Sequence, residues 1–258
     1  MDKQTVDGAR SLYYGFFSKM LVFTESQNRF DGLKNLLDVM IANPLDVNSE
    51  EALKEILEYM NDERYIKLVD EYDAIFHDPE NPIVRTTASF YAEGVESGKK
   101  LVEVRGFLSK TRIRRNENIY KEPEDSIGFL MTFMHELIEL VISGQTTYQN
   151  TQHCLFNDVL NLTLDRFIPN LYEHPASNAY KSLSIVMQAF LEFERLYFDI
   201  GKPKEPEVEV GMQNDSCDYI SDLEAKRRAE NRIARAAEST VASCSLENDD
   251  DAEGILET

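Results

Sequence analysis

Apolar residues along this chain recur every three to four positions, in one segment after another, with polar residues filling the gaps. Ala9, Leu12, Tyr13, Phe16, Phe17 and Met20 share one face of a helix. Phe30, Leu33, Leu36, Leu37, Met40 and Ile41 define a second helix, which Asn43-Pro44 ends. Ser49 is expected to open a third, carrying Ala52, Leu53, Ile56, Leu57 and Met60. Tyr65, Leu68, Val69, Tyr72, Ile75 and Phe76 form a fourth, which stops in the turn-forming run His77-Asp78-Pro79-Glu80-Asn81-Pro82. Residues 86–93 suit either a helix start or a binding loop. Leu101, Val104 and Leu108 fit a short helix, with a strand over 101–107 as the alternative.

The densest pattern comes next. Ile127, Leu130, Met131, Met134, Leu137, Ile138 and Val141 make one continuous helical stripe, preceded by Glu122-Pro123-Glu124-Asp125-Ser126. Pro123 disfavours helix at Glu122, and Asp125 is the expected N-cap, its carboxylate accepting a bond from a free first-turn amide. The acidic cluster thus sits at the positive end of a core helix. Leu155, Val159, Leu162 and Phe167 continue the pattern to Pro169, where a stop or kink is expected. Ala179, Leu183, Val186, Met187 and Phe190 complete it, fading near Gly201. The fold class is therefore all-α, a bundle-like domain of roughly eight helices over residues 1–201. An N-terminal part (1–110) and a C-terminal part (122–201) are joined by a basic hinge loop, 110–121, with Lys110, Arg112, Arg114 and Arg115. Beyond Gly201 the composition changes. Residues 202–209 read as a Pro/Lys/Glu linker, Ser221-Asp222-Leu223-Glu224 fits a capping box before a weak helix at 221–240, and the acidic end reads as partly disordered.

Charge narrows the partners. A net charge of −20 over 258 residues disfavours nucleic acid and anionic membrane, and favours basic partners such as a cationic peptide. The start of the chain lacks a signal peptide's pattern, and no apolar run approaches the ~18–20 residues of a membrane span, so a soluble cytoplasmic protein is expected. Cys154, Cys217 and Cys244 are too scattered for a disulfide framework or a thiolate zinc site.

Catalytic patterns are weak. His135-Glu136-Leu137-Ile138-Glu139 approaches a zinc-protease helix but ends in Glu and lacks a third ligand, leaving a metal-dependent hydrolase as an alternative. Phosphate-binding glycine loops and nucleophile elbows are missing from the sequence. No cofactor and no enzymatic activity are expected. A general acidic all-α peptide adaptor is the other alternative; a phosphopeptide reader would need a basic groove, which only residues 110–115 could supply.

Several short elements, taken in order, carry a resemblance. Tyr72-Asp73-Ala74-Ile75-Phe76-His77-Asp78-Pro79, then Ala88-Ser89-Phe90-Tyr91, then Glu122-Pro123-Glu124-Asp125-Ser126-Ile127-Gly128 with Phe133-Met134, are similar to the TorD/DmsD/NarJ family of cytoplasmic molybdoenzyme maturation chaperones. Ala9-Arg10-Ser11-Leu12-Tyr13 fits their first helix, and the similarity spans roughly residues 5–200. Where the family commonly has His after the motif Asp, this chain has Ser126.

The resemblance implies a TorD-like helical fold and a chaperone that binds the twin-arginine signal peptide, or another part, of a precursor molybdopterin oxidoreductase. Such a chaperone holds its client until cofactor insertion, which prevents premature export; formate dehydrogenase is one candidate client. It also implies a homodimer, formed by exchange of helical halves, as one state to expect. Under this reading Glu122, Glu124 and Asp125 receive arginines, with Ser126 nearby; Tyr72, Phe76, Phe90 and Tyr91 line an apolar groove, and Ser89 bonds peptide backbone.

Overall fold

The helical spacing is realised throughout. In the computed structural model, residues 3–24, 29–60, 65–118 and 120–203 are described. The chain divides into one unit from Met1 to Pro203 and another from Lys204 to Thr258. The expected linker from Lys204 on, the weak helix and the acidic tail lie outside the described residues, as do Cys217 and Cys244.

The helices are α1 (Lys3–Leu21), α2 (Leu33–Ala42), α3 (Val47–Tyr59), α4 (Ile66–Phe76), α5 (Ala88–Glu93), α6 (Lys99–Ser109), α7 (Ile127–Ile142), α8 (Tyr148–Leu155), α9 (Asn161–Glu173) and α10 (Ala179–Phe198). A π-helical turn, Phe156–Leu160, joins α8 to α9 as one continuous rod. The only β pairing among the described residues is an isolated bridge between Thr87 and Ser126. The protein is all-α.

Helix α7 is the core. Ten of its residues are buried, from Ile127 to Val141, so nearly every side of it meets another element. Its polar residues Thr132, His135 and Glu139 face α1, which offers a strip of small residues one turn apart. Ser18 Oγ lies 2.7 Å from Thr132 Oγ1. His135 Nδ1 lies 2.9 Å from both the hydroxyl and the carbonyl oxygen of Ser11, and the Ser11 hydroxyl donates to Glu139. A Cβ on Gly15 would come within 3.3 Å of the His135 ring. At the far end Gly128 is pressed against Leu21 and Val22. The two helices are antiparallel and in close contact because small residues let their backbones approach.

A buried ion network ties the two ends of the fold together. Arg10 on α1 makes a two-pronged bond to Glu194 on α10, at 2.6 and 2.9 Å, and reaches Gln152 on α8 at 3.0 Å. Glu71 of α4 supplies the missing cap of α10: its carboxylate accepts from the amides of Asn178, Ala179 and Tyr180 at 2.7, 3.2 and 2.8 Å. Three sequence expectations need correction. Ser49 is the third helical residue of α3; Asp46 is its N-cap, and the two form a reciprocal capping box. Where the sequence left alternatives open, residues 88–93 and 99–109 are helical, as α5 and α6. Pro169 does not stop α9, which continues to Glu173: its ring sits on an exposed face while Phe167, Ile168 and Leu171 pack beneath. Ser126, not Asp125, caps α7, its hydroxyl accepting from the Phe129 amide.

Candidate functional site

The acidic loop and the Ser-aromatic element meet through the Thr87–Ser126 bridge. Ala88 N–H donates to the Asp125 carbonyl at 2.8 Å and Ile127 N–H to the Thr86 carbonyl at 2.7 Å. This pairing carries Asp125 inside. Its carboxylate is fully buried and accepts from both the backbone amide (3.0 Å) and the hydroxyl (2.5 Å) of Ser89, while Oδ1 has no partner. The Ser89 hydroxyl in turn accepts from the Leu101 amide at 3.2 Å. Asp125, Ser126 and Ser89 therefore form a buried latch between α5, α6 and α7, and offer no surface to a peptide as the structure stands.

The other two acidic side chains differ from each other. Glu124 is engaged from two sides, by Arg105 at 3.0 Å and by Arg115 at 3.4 Å. Arg115 also donates to the Glu122 carbonyl at 2.7 Å, so the basic loop is an internal counter-charge rather than a purely solvated connection. Among the described residues the Glu122 carboxylate has no such cation. It accepts from Thr86 Oγ1 at 3.1 Å and, more weakly, from the Phe23 amide at 3.5 Å. Burial pushes its pKa above the ordinary carboxylate value of 4.5; these two bonds and the charges of His77 and Arg29 offset part of that rise.

Of the four aromatic residues expected to line a groove, Tyr72, Phe76 and Tyr91 are buried in the core. Phe76 is buried against Tyr72, Phe167 and Tyr180. Tyr72 is also buried, its hydroxyl donating to the Leu21 carbonyl at 3.3 Å. The periodicity of α4 explains this: Leu68, Tyr72, Ile75 and Phe76 are its inner face. Phe90 and Tyr91 do border a recess of about 400 Å³, with Pro82, Ile83 and Arg85 on one wall and Asn170, Glu173 and His174 on the other.

The outer face of α4 borders a second, wider cleft of about 620 Å³, lined by Phe23, Asp70, Asp73, Ala74, His77 and Asp78. Asp73 is 3.0 Å from His77 Nδ1. Asp78 is held in place by the Glu80 amide and the Asn81 side chain, at 2.9 and 2.8 Å. The Phe23 and His77 rings pack edge to face, their centroids 4.9 Å apart, and Phe23 is the residue whose amide reaches Glu122. Three carboxylates beside the Phe23 and His77 rings are chemistry suited to a cation. The loop from His77 to Arg85 borders both recesses, so one extended segment could run from the acidic cleft to the Phe90–Tyr91 recess. Asp70, Asp73, Asp78 and Phe23 were not picked out as site residues from sequence, although Asp73 and Asp78 lie within the Tyr72–Pro79 element. Their signal was the complement of the apolar stripe: positions 70, 73 and 77 share the outer face of α4.

The hydrolase alternative loses its ligands to packing, since His135 and Glu139 both bond to Ser11. Among the described residues, no group of three or more His, Cys, Asp and Glu side chains is placed to hold a metal ion. No described helix is long and apolar enough to cross a membrane.

Residues 42–169 match a family model described as the nitrate reductase delta subunit. Among solved structures, the chain is similar to one described as a candidate redox enzyme maturation protein from Archaeoglobus fulgidus. The identity is 18% and the TM-score 0.48, over 70% of this chain and 93% of that one. No curated protein matches the chain significantly.

Proposed function

Because the chain belongs to the nitrate reductase delta subunit family, the NarJ/TorD type of molybdoenzyme maturation chaperone, we propose that it recognises the twin-arginine signal peptide of an apo-molybdoenzyme in the cytoplasm. It acts by holding, not by catalysis, and keeps its client from export until the cofactor is inserted. Formate dehydrogenase is the first client to test.

One observation carries this reading: the open cleft where Asp70, Asp73 and Asp78 surround Phe23 and His77. Guanidinium groups pair with carboxylates through two parallel bonds and stack on aromatic faces, which an ammonium does less well. A negatively charged surface also speeds encounter with a basic peptide, in a salt-dependent way. The apolar stretch that follows the arginines would lie along the Phe90–Tyr91 recess. In this arrangement Glu122 backs the cleft, whereas Glu124 and Asp125 hold the fold in shape.

Calorimetric titration with a client signal peptide, beside a control with both arginines replaced by alanine, tests the proposal. Binding should require the arginines and weaken with salt. The triple variant D70N/D73N/D78N should lose about tenfold or more in affinity, since each charge-assisted bond contributes on the order of 1.5–3 kcal/mol before solvent screening. Wild-type affinity in a folded triple variant would place the peptide elsewhere.

A further inference from the structure

Next to the acidic cleft a guanidinium is already bound, and it belongs to the chain itself. The Arg29 head group stacks on the Tyr72 ring at 3.8 Å from the centroid and lies 4.8 Å from that of Phe30. One terminal nitrogen donates to the Met20 carbonyl at 3.2 Å. Met20 and Leu21 are in the last turn of α1, where the helix dipole favours a cation; their carbonyls also accept from the Tyr180 and Tyr72 hydroxyls, at 2.7 and 3.3 Å. The remaining wall is Glu122, whose half-buried carboxylate reaches the Phe23 amide just beyond α1 at 3.5 Å, feels the Arg29 charge and has no ion pair among the described residues. An aromatic face, helix C-terminal carbonyls and a half-buried carboxylate are the parts of a guanidinium receptor.

Arg29 fills this receptor poorly. A guanidinium has five N–H donors. Among the described residues Arg29 donates to the Met20 carbonyl and interacts with the Tyr72 hydroxyl, and its buried Nε has no partner. A group chosen only to stabilise the fold at this place would be expected to satisfy its buried donor. We propose that the space between Tyr72, the end of α1 and Glu122 is a seat for an arginine side chain, with Arg29 as its internal placeholder, and that an arginine of an incoming polypeptide takes the seat by displacing it. The seat adjoins the cleft, since Tyr72 and Phe23 stack with centroids 6.4 Å apart and Phe23 lines the cleft wall. The small-ligand part of this proposal is independent of the signal-peptide reading; the identity of the incoming arginine rests on it.

The test uses the full chain with Arg29→Ala and Arg29→Lys, probed with n-propylguanidinium and, as a control of equal charge, n-propylammonium. Melting temperature and calorimetry are the readouts. Arg29→Ala should bind propylguanidinium saturably and be stabilised by it, with propylammonium markedly weaker and the wild type binding propylguanidinium about tenfold more weakly than the variant. Arg29→Lys keeps the positive charge but loses the planar stack, and it provides the readout if the alanine variant does not fold. With a twin-arginine peptide that binds the wild type, either variant should bind about tenfold tighter, the gain expected when a placeholder occupies the seat nine-tenths of the time. Equal responses to the two small cations in the folded variants overturn the seat. Peptide affinity that is unchanged or weaker in both variants overturns the displacement. If no signal peptide binds the wild type, the signal-peptide reading fails, and the small-cation comparison still decides whether the seat exists.

Discussion

Replacing Gly128 by alanine should destabilise this protein, although helix propensity alone says the opposite. Gly128 is the second residue of α7, and glycine within a helix costs about 1 kcal/mol relative to alanine. A Cβ there, however, would lie 2.8 Å from the Leu21 carbonyl oxygen, 2.9 Å from its carbon and 2.9 Å from the Val22 Cα. All three neighbours are backbone atoms, so no rotamer change relieves the contact. Relief requires α1 and α7 to separate by roughly half an ångström or more, against the Ser11, Gly15 and Ser18 contacts that hold them close. Overpacking of this kind costs ~1–3 kcal/mol, and an immovable neighbour argues for the upper end. After the propensity gain, a net loss of about 2 kcal/mol is expected. For a unit of some 200 residues that corresponds to a fall in Tm of about 4–8 °C. Gly106 on α6 is the internal control: it is exposed, and a Cβ there meets nothing within 4 Å. Gly106→Ala should therefore stabilise by ~0.5–1 kcal/mol. Urea unfolding of both variants, with unchanged m-values, reads the difference directly. A Gly128→Ala variant as stable as wild type would mean that the α1–α7 approach is looser than described, and the reasoning fails.

Three further outcomes follow from the site. Asp125→Ala should lose ~2–4 kcal/mol, because it strips a charged acceptor from the buried Ser89 amide and hydroxyl; folded Asp125→Asn should bind a signal peptide as the wild type does, and a selective loss of affinity in calorimetry would show that Asp125 reaches the ligand after all. Glu122→Gln tests a pH dependence. With its folded pKa raised above the ordinary 4.5, the wild-type carboxyl contributes stability that is complete below that value and is lost as pH rises through the folded pKa. The glutamine variant should accordingly gain on wild type as pH climbs from 4.5 towards neutrality, and parallel stability curves would contradict it. Glu71→Ala removes the carboxylate that caps α10, and should cost ~2–3 kcal/mol and speed hydrogen exchange at Ala179 and Tyr180; unaltered exchange there would show the cap to be dispensable.

What the sequence by itself determined is what depends on neighbours within a turn. The stripes of α1, α4, α7 and α10 are local periodicities, and they placed these helices and identified α7 as the most buried one. The stop of α4 in the His77–Pro82 loop followed from turn chemistry. Even at this range, closely spaced capping groups were confused, Asp125 for Ser126 and Ser49 for Asp46, because side chains a few residues apart compete for the same amides. Tertiary structure alone decided which charges remain available. Asp125 is consumed by Ser89, 36 positions earlier, and Glu124 by Arg105, 19 positions earlier. His135 and Glu139, which resembled metal ligands along the chain, are bound by Ser11, more than 120 positions away. The carboxylates that face the open cleft, Asp70, Asp73 and Asp78, look along the chain like any solvated helix face. Helix formation is a short-range equilibrium, legible from spacing, whereas the availability of a charge depends on which distant partner the fold brings within 3 to 4 Å, and spacing does not encode that.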